Sequence, residues 1–235
     1  VLALLPVAAF AVYSFGLAAA LILLVATLSC VVTEHLMCRA SGQASTIGDW
    51  SVTITGLLYG LTLPPTLPLW MVACGGIIGV AMGKFLFGGL GYNAFNPALV
   101  GRAFLQAAFP TVLTTWTAPR EGFFALKSST VALPLAQAAT DVTTSATPLG
   151  LAKFEGKITE MLPLLLGNTG GSLGETAGLV LILCGLWMGF RRIFDWRLPV
   201  SALLTVAAAS ALMHAIDPEA YPHVWFGVSL YRIWD

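Results

Sequence analysis

The chain has 235 residues, of which 57% are hydrophobic and only 9% are charged. A soluble domain carries roughly 25% charged residues, so this composition excludes an ordinary water-soluble fold and requires lipid as part of the solvent. The formal net charge is zero, which excludes the basic field typical of nucleic-acid-binding proteins. We therefore predict an all-α, polytopic transmembrane helix bundle.

Apolar runs and their interruptions predict where the helices lie. The run over 1–36 is too long for a single span of about 20 residues. Gly16, which follows an aromatic-bounded turn, predicts a break between helices over 1–15 and 17–36. Because the run has already begun at Val1, which is not Met, we expect the N-terminal part of the protein to be missing from this sequence. Further helices are predicted over 50–63, 69–87, 97–109, 176–190 and 198–216.

Two of these runs, 50–63 and 97–109, are short and are followed by prolines. Helices too short to cross a bilayer are typical of discontinuous helices that line a buried site. The segment 47–49 ahead of the first run is echoed by 173–175 ahead of a later one. This echo favours a duplicated unit, and we expect an inverted repeat.

The basic residues predict the orientation. Arg191, Arg192 and Arg197 fall in one short loop, which the positive-inside rule makes cytoplasmic. Counting back across the spans also puts Lys84 and Arg39 inside. The sequence thus divides into helices 1–5 with a Gly-rich loop over 1–110, a periplasmic segment over 111–175, and helices 6–7 with a tail over 176–235.

The titratable residues give little sign of a metal site. The four cysteines form no CxxC pair and have no histidine at ligand spacing, so we predict no metal and interpret them as small apolar residues inside helices. Most charges near membrane depth lie at predicted helix ends, where long side chains reach the interface. Arg102 lies about one turn inside 97–109 and is predicted to face a polar cavity or a bound anion. The cysteines are Cys30, Cys38, Cys74 and Cys184, and the charges are Glu34, His35, Asp49, Lys84, Arg102, Glu175 and His214.

The first motif is the Gly-rich loop that begins at Gly83 and leads into the short run at 97. Glycines allow backbone conformations closed to other residues, and Asn96 followed by Pro97 is a helix start with Asn as the N-cap. Such a loop facing a helix N-terminus can hold an anion or a carbonyl-rich ring. A tight turn that lets two helices pack closely is the alternative. The candidate lining residues are Gly88, Gly89, Gly91, Asn93 and Asn96, together with Arg102.

The second motif is the hydroxyl-rich stretch over 141–149, in the segment predicted to be periplasmic. It reads Asp-Val-Thr-Thr-Ser-Ala-Thr-Pro-Leu. Pro148 disfavours helical conformation at Thr147 and predicts extended backbone there. Composition alone favours a solvated loop.

Together the motifs resemble one family, the large membrane subunits of two related respiratory complexes. These are the D subunit of the Rnf ion-translocating ferredoxin:NAD oxidoreductase and the B subunit of the sodium-translocating NADH:quinone oxidoreductase. The resemblance rests on 63–72, 83–110 and 141–149, and runs from Val1 to about Trp225. The sequence Thr-Thr-Ser-Ala-Thr is closer to that of the Rnf subunit. Past Phe226-Gly227 the chain departs from the family, so we expect about seven of about ten helices and a truncated or altered tail.

The resemblance implies that Thr147 carries FMN through a phosphoester bond, since it is the last threonine of an Asp-x-x-Thr/Ser-x-Ala-Thr motif. Asp141, Thr144, Ser145 and Ala146 would then be recognised by a periplasmic, magnesium-dependent flavin transferase that uses FAD. A second, non-covalent flavin (riboflavin) is a further expectation.

The implied function is that of an electron-transfer component of an Rnf-type complex in the bacterial inner membrane. Its expected partners are the other membrane and periplasmic subunits, including one that bears FMN in the periplasm, and the coupled ion is Na⁺ or H⁺. The alternatives are a B-type component of the quinone reductase, a redox-inert permease and a structural scaffold.

Overall fold

In a computed structural model of the chain, helices are the only regular elements among the residues described. The structure describes residues 1–42, 46–89, 91–119, 122–124, 126, 129–134, 145–155, 159–175 and 178–217. The helices are α1 (Leu5–Ala40), α2 (Ser51–Leu61), α3 (Leu69–Gly83), α4 (Pro97–Ala108), α5 (Pro110–Leu113), α6 (Pro148–Phe154), α7 (Met161–Leu166), α8 (Gly178–Phe190) and α9 (Arg197–Ile216). Short 3₁₀ turns lie at Ile47–Asp49 and Phe85–Phe87. The predicted all-α class is confirmed.

Helix α1 is broken at Gly16, as predicted. Gly16 has φ 66° and ψ −147°, which is not helical. The carbonyl oxygen of Phe123 lies in the break, where it accepts a hydrogen bond of 2.9 Å from the amide of Leu17. A Cβ atom on Gly16 would collide with this carbonyl. The break therefore both turns the chain and anchors part of the 111–175 segment.

Small residues let α1, α2, α3 and α4 pack closely. A Cβ added at Gly56 of α2 would lie 2.6 Å from the Thr27 Cα in α1, and one at Gly79 of α3 would lie 2.7 Å from the Pro97 carbonyl oxygen in α4. Without a strong hydrophobic drive between helices in lipid, such close approach of backbones is a principal source of association. The buried core around these contacts includes Ala19, Ile22, Ala26, Val52, Tyr59, Val72, Val80 and Leu105.

The four helices share two ends, which we name by their residues. At the lysine end, Lys84 follows α3, Ser51 begins α2, Pro97 begins α4, and Arg39 lies in the last turn of α1. The opposite end is the proline end, where the connector 62–68 joins α2 to α3. Since α3 has 15 residues, the two ends lie about 22 Å apart at 1.5 Å per residue.

The connector at the proline end is bonded to the segment between α4 and α8. The Thr66 hydroxyl donates to the Thr115 carbonyl at 3.0 Å, and the Leu69 amide donates to the Thr130 carbonyl at 3.1 Å. The amide of Leu173 donates to the Leu63 carbonyl at 3.0 Å. The described parts of the 111–175 segment therefore gather at the end opposite Arg39 and Lys84.

Within the part of the chain that the structure describes, three helical stretches are long and apolar enough to cross a membrane, judged by length and composition: Leu5–Ala40, Leu69–Phe87 and Arg197–Ile216. Helices α2 and α8 are apolar but shorter. The predicted runs agree with the observed helices to within four residues. The short helices α5, α6 and α7 were not predicted, because segments of four to seven residues are too short to show a clear apolar period.

Candidate functional site

Thr147 caps the start of α6. Its backbone is extended, with φ −70° and ψ 156°, and Pro148 follows at the first helical position. The prediction that Pro148 keeps Thr147 extended is therefore confirmed. The Thr147 Oγ1 atom accepts a hydrogen bond of 3.1 Å from the Gly150 amide. The side chain is half-buried, and this hydrogen bond fixes the position of its oxygen.

Ser145 fixes the approach to Thr147. Its amide donates a hydrogen bond of 2.9 Å to the Trp116 carbonyl, which ties the motif to the chain that follows α5. Its Oγ atom is buried and has no hydrogen-bond partner among the described residues. A Cβ on Gly170 would collide with this oxygen. A buried hydroxyl without a partner is unusual in native proteins, and it lies two residues from the candidate attachment atom.

Only part of the predicted recognition motif can be placed. Ala146 is exposed, as a recognition site for another protein requires. Asp141 and Thr144 lie outside the residues that the structure describes.

The Gly-rich loop adopts the backbone that its glycines permit. Gly88, Gly89 and Gly91 have φ values of 102°, 97° and 88°, a region costly for other residues. The Asn96 side chain accepts a hydrogen bond of 3.0 Å from the Ala98 amide, so the predicted N-cap is confirmed. The turn also brings α3 against α4, because a Cβ on Gly83 would lie 2.8 Å from the Pro97 Cα. The close-packing alternative therefore describes part of what the loop does.

Two cavities at the lysine end divide the candidate lining residues between them. Asn93 and Asn96 line a cavity of about 430 Å³ together with Ser51, Ile54, Thr55 and Leu58 of α2. Gly88 and Gly89 line a smaller cavity of about 230 Å³ together with Glu34, Cys38, Thr46, Val80, Lys84 and Phe85. Gly91 and Arg102 line neither cavity.

Arg102 has a backbone partner at the end of α2. Its guanidinium Nη1 donates to the Thr62 carbonyl oxygen at the C-terminal end of α2. The carbonyls on either side are also satisfied, that of Leu61 by the Gly174 amide at 2.8 Å and that of Leu63 by the Leu173 amide. A cation at this end also complements the helix dipole. Arg102 thus has a structural partner, a helix terminus, and the predicted polar cavity or bound anion beside it stays a prediction.

Glu34 and Lys84 form a buried ion pair that the sequence analysis missed. Their exposed fractions are 2% and 5%, so the prediction that both reach the membrane interface is wrong. Lys84 Nζ lies 2.7 Å from Glu34 Oε2 and 2.9 Å from Oε1, and donates to the Ser51 hydroxyl at 2.7 Å. The Thr46 hydroxyl donates to Glu34 Oε1. The sequence did contain a signal for this pair, because it places two opposite charges at the same end of consecutive long spans.

The other charged candidates have local roles. Asp49 accepts a hydrogen bond of 2.8 Å from the Ser51 amide at the start of α2, and hydrogen bonding with Ser51 holds the pKa of the Asp49 carboxyl below its usual value. Glu175 accepts bonds of 3.2 Å from the amide and hydroxyl of Ser172. The four cysteines lie in α1, α3 and α8 as free thiols.

The predicted site is therefore split between the two ends. Thr147 and Ser145 join the proline end through Trp116, while the Gly-rich loop surrounds the lysine end. The Gly-rich loop therefore lies at the end opposite Thr147, whereas the Arg102 guanidinium reaches Thr62 at the proline end. The candidate attachment site consists of 145–150 and its neighbours, and a second, non-covalent flavin stays a prediction.

A family model described as the NQR2, RnfD, RnfE family matches residues 1–231. Among curated proteins, the chain is 36% identical over 215 residues to the D subunit of the proton-translocating ferredoxin:NAD(+) oxidoreductase complex of Clostridium ljungdahlii, covering 87% of this chain and 60% of that protein. It is 37% identical to the D subunit of the Na(+)-translocating ferredoxin:NAD(+) oxidoreductase complex of Acetobacterium woodii, covering 93% and 64%. It is also 37% identical to the D subunit of the ion-translocating oxidoreductase complex of Stutzerimonas stutzeri, covering 94% and 67%. The chain thus spans roughly three-fifths to two-thirds of the length of these relatives.

Proposed function

The chain belongs to the NQR2, RnfD, RnfE family, and from that premise we propose that it acts as the D-type membrane subunit of an Rnf-type ion-translocating ferredoxin:NAD oxidoreductase. In this proposal FMN is attached covalently through its phosphate to the Thr147 hydroxyl oxygen. The protein lies in the bacterial inner membrane with the other subunits. A periplasmic flavin transferase attaches the cofactor from FAD: the pyrophosphate bond of FAD breaks as the bond to the Thr147 oxygen forms, AMP leaves, and the hydroxyl proton is lost. The observation that carries the proposal is the motif at 141–148 in a chain of this family, with Thr147 held extended and half-buried.

The residues around Thr147 fit such a group. Thr147 Oγ1 accepts a bond from the Gly150 amide, so its position is fixed, and no described partner uses its own proton. The Ser145 hydroxyl is buried without a described partner and offers a donor or acceptor to a phosphate or a ribityl chain. FMN bound here would accept and release one or two electrons. Ser145, Thr147 and Gly150 would orient it.

The arrangement of the ends supports a periplasmic location for Thr147. Arg39 and Lys84 belong to the lysine end, and the positive-inside rule assigns that end to the cytoplasm. The described parts of the segment that carries Thr147 are bonded to the opposite end. A flavin transferase acting in the periplasm would find its motif there.

The three relatives above favour the Rnf type over the quinone-reductase type, since each is named as the D subunit of an ion-translocating oxidoreductase complex. Their names differ in the coupled ion, one being proton-translocating and another Na(+)-translocating at nearly the same identity. Overall similarity therefore does not select the ion, and the coupling site has to be sought in individual residues.

The test is flavin fluorescence of the denatured protein on a gel, after expression of the full-length chain with the transferase. We expect a fluorescent band from the wild type and a dark band from Thr147→Ala. Thr114→Ala is the matched control, because Thr114 is an exposed threonine whose hydroxyl donates only to nearby carbonyls. A dark wild-type band from cells that contain the transferase would refute the proposal.

Mass spectrometry of the peptide that spans 145–150 would then locate the adduct. Quinone reduction by the purified complex, without NAD reduction by ferredoxin, would instead favour the B-type alternative.

A further inference from the structure

The Lys84 ammonium lies in a cage of oxygen atoms supplied by two helices. Two of the oxygens belong to Glu34 of α1 and one to Ser51 of α2, at 2.7–2.9 Å from the nitrogen. An ammonium has three protons to donate, and all three have acceptors here. Carboxylate and hydroxyl oxygens are also the ligands that small hard cations prefer. The cage therefore binds the Lys84 ammonium, a cation attached to the chain, with the kind of ligands that would also suit a free cation.

The cage is buried but lies close to the surface of the lysine end. Thr46, whose hydroxyl reaches Glu34, is exposed, and so is Asp49, which is hydrogen-bonded to Ser51. A cation could reach Glu34 past these two residues by crossing a single layer of polar groups.

Space is available for the lysine side chain to withdraw. The cavity of about 230 Å³ adjoins both Glu34 and Lys84 and extends to Gly88 and Gly89. The carbonyl of Lys84 accepts a hydrogen bond of 3.1 Å from the Gly89 amide, so a shift of the Gly-rich loop moves the backbone of Lys84.

Stability alone is a poor explanation for this arrangement. A buried ion pair is often no more stabilising than a pair of apolar residues of similar volume. Ionisable groups inside membrane proteins commonly mark ion pathways instead. Lys84 and Glu34 come from the two long spans in the core, which makes them candidates for such a pathway.

We propose that the Glu34 cage is a cation-exchange site, in which a monovalent cation, Na⁺ or H⁺, replaces the Lys84 ammonium on Glu34 during ion translocation. The ammonium keeps its charge and moves into the adjoining cavity, so no bond is made or broken when Na⁺ binds. When H⁺ binds, the proton goes to a Glu34 carboxylate oxygen. The titratable groups around Glu34 are Cys30 and Cys38 of α1, Lys84 after α3, and Asp49 ahead of α2. This inference rests on the proposed function for its driving reaction.

The first test measures ion uptake by inverted vesicles that contain the whole complex, using radioactive sodium and a pH-sensitive dye. We expect Glu34→Gln to lower uptake per electron transferred by at least about tenfold, while the flavin band of the protein stays fluorescent. Glu160→Gln is the control, since Glu160 is exposed and begins α7 in the segment between α4 and α8. Uptake by Glu34→Gln equal to that of the control overturns this inference. A dark wild-type band instead overturns the proposed function.

The second test identifies the cation in the purified complex. In Lys84→Ala, Glu34 has lost its tethered cation, and the thermal unfolding midpoint should fall in choline chloride. Recovery in sodium chloride of equal ionic strength supports Na⁺, and recovery in choline at lower pH supports H⁺. Both recoveries should be absent from the double variant Glu34→Gln/Lys84→Ala. A Lys84→Ala midpoint that responds to neither cation overturns the proposal.

A milder variant serves if Lys84→Ala does not assemble. Ser51→Ala removes one oxygen of the cage and should raise the cation concentration for half-maximal electron transfer several-fold. Thr27→Ala is the matched control, because the Thr27 hydroxyl donates only to the Leu23 carbonyl of its own helix, at 2.8 Å. Equal cation dependence in Ser51→Ala and Thr27→Ala would contradict the exchange site.

Discussion

The buried pair of Glu34 and Lys84 permits a thermodynamic test with a large expected signal. At 2.7–2.9 Å and an effective dielectric constant of about 20, the attraction between the two charges is about 6 kcal/mol. Desolvation costs several kcal/mol for each ion, so the two contributions nearly cancel. Loss of one partner leaves the other charge buried and unpaired, which costs about 3–5 kcal/mol.

The experiment is a double-mutant cycle with Glu34→Leu, Lys84→Met and the double variant. Each single variant should lose about 3–5 kcal/mol of unfolding free energy, whereas the double variant should lie within about 1–2 kcal/mol of the wild type. Unfolding is followed in detergent and choline chloride, so that sodium cannot replace the lysine. Glu160→Gln provides the scale for a surface carboxylate, within about 0.5 kcal/mol. Single effects that add to within about 0.5 kcal/mol would refute the reasoning.

Three further predictions concern packing, capping and pH. Gly79→Ala should lower the free energy of unfolding by about 1–3 kcal/mol, because the added Cβ meets the backbone of α4. Gly185→Ala should keep or gain stability, because a Cβ there meets nothing within 4 Å. The unfolding midpoints of the two variants check this. Arg102→Ala should lower the free energy of unfolding by about 1–3 kcal/mol, because the Thr62 carbonyl at the end of α2 loses its donor. The flavin band should stay fluorescent, and a dark band would indicate that Arg102 has a role in flavin attachment. The pKa of Asp49 is lower in the folded than in the unfolded state. Its contribution to stability is therefore present above its unfolded pKa of about 3.9 and is lost as the pH falls through the folded value. In Asp49→Asn, this part of the loss of stability at low pH should disappear from the stability-pH curve.

Helix positions could be predicted because they depend on local features of the sequence. The break at Gly16 and the start of α4 at Asn96-Pro97 follow from residues that terminate or cap helices. The extended backbone at Thr147 follows in the same way from Pro148. Each of these features is determined by residues within one or two positions.

Partners of charged side chains could not be predicted, because they depend on tertiary packing. Glu34 and Lys84 are 50 residues apart in sequence, and each lies near a helix end where exposure is the ordinary outcome. Arg102 and Thr62 are 40 residues apart, and only the fold shows that the carbonyls at the end of α2 need a donor. The sequence showed that Arg102 required a polar partner but not that this partner is the protein backbone.

The separation of the two candidate sites constrains how they can be coupled. One charge added at the proline end, about 22 Å from Lys84, changes the energy of the ammonium by only about 0.8 kcal/mol at an effective dielectric constant of about 20. Moving a two-state equilibrium from 1:99 to 99:1 requires about 5.5 kcal/mol. If FMN is attached to Thr147 as proposed, an electron on it therefore cannot release the lysine through its field alone. Most of the coupling has to be mechanical, and α3 is the element suited to carry it. Helix α3 is bonded to the 111–175 segment at Leu69 and carries Lys84 at its other end.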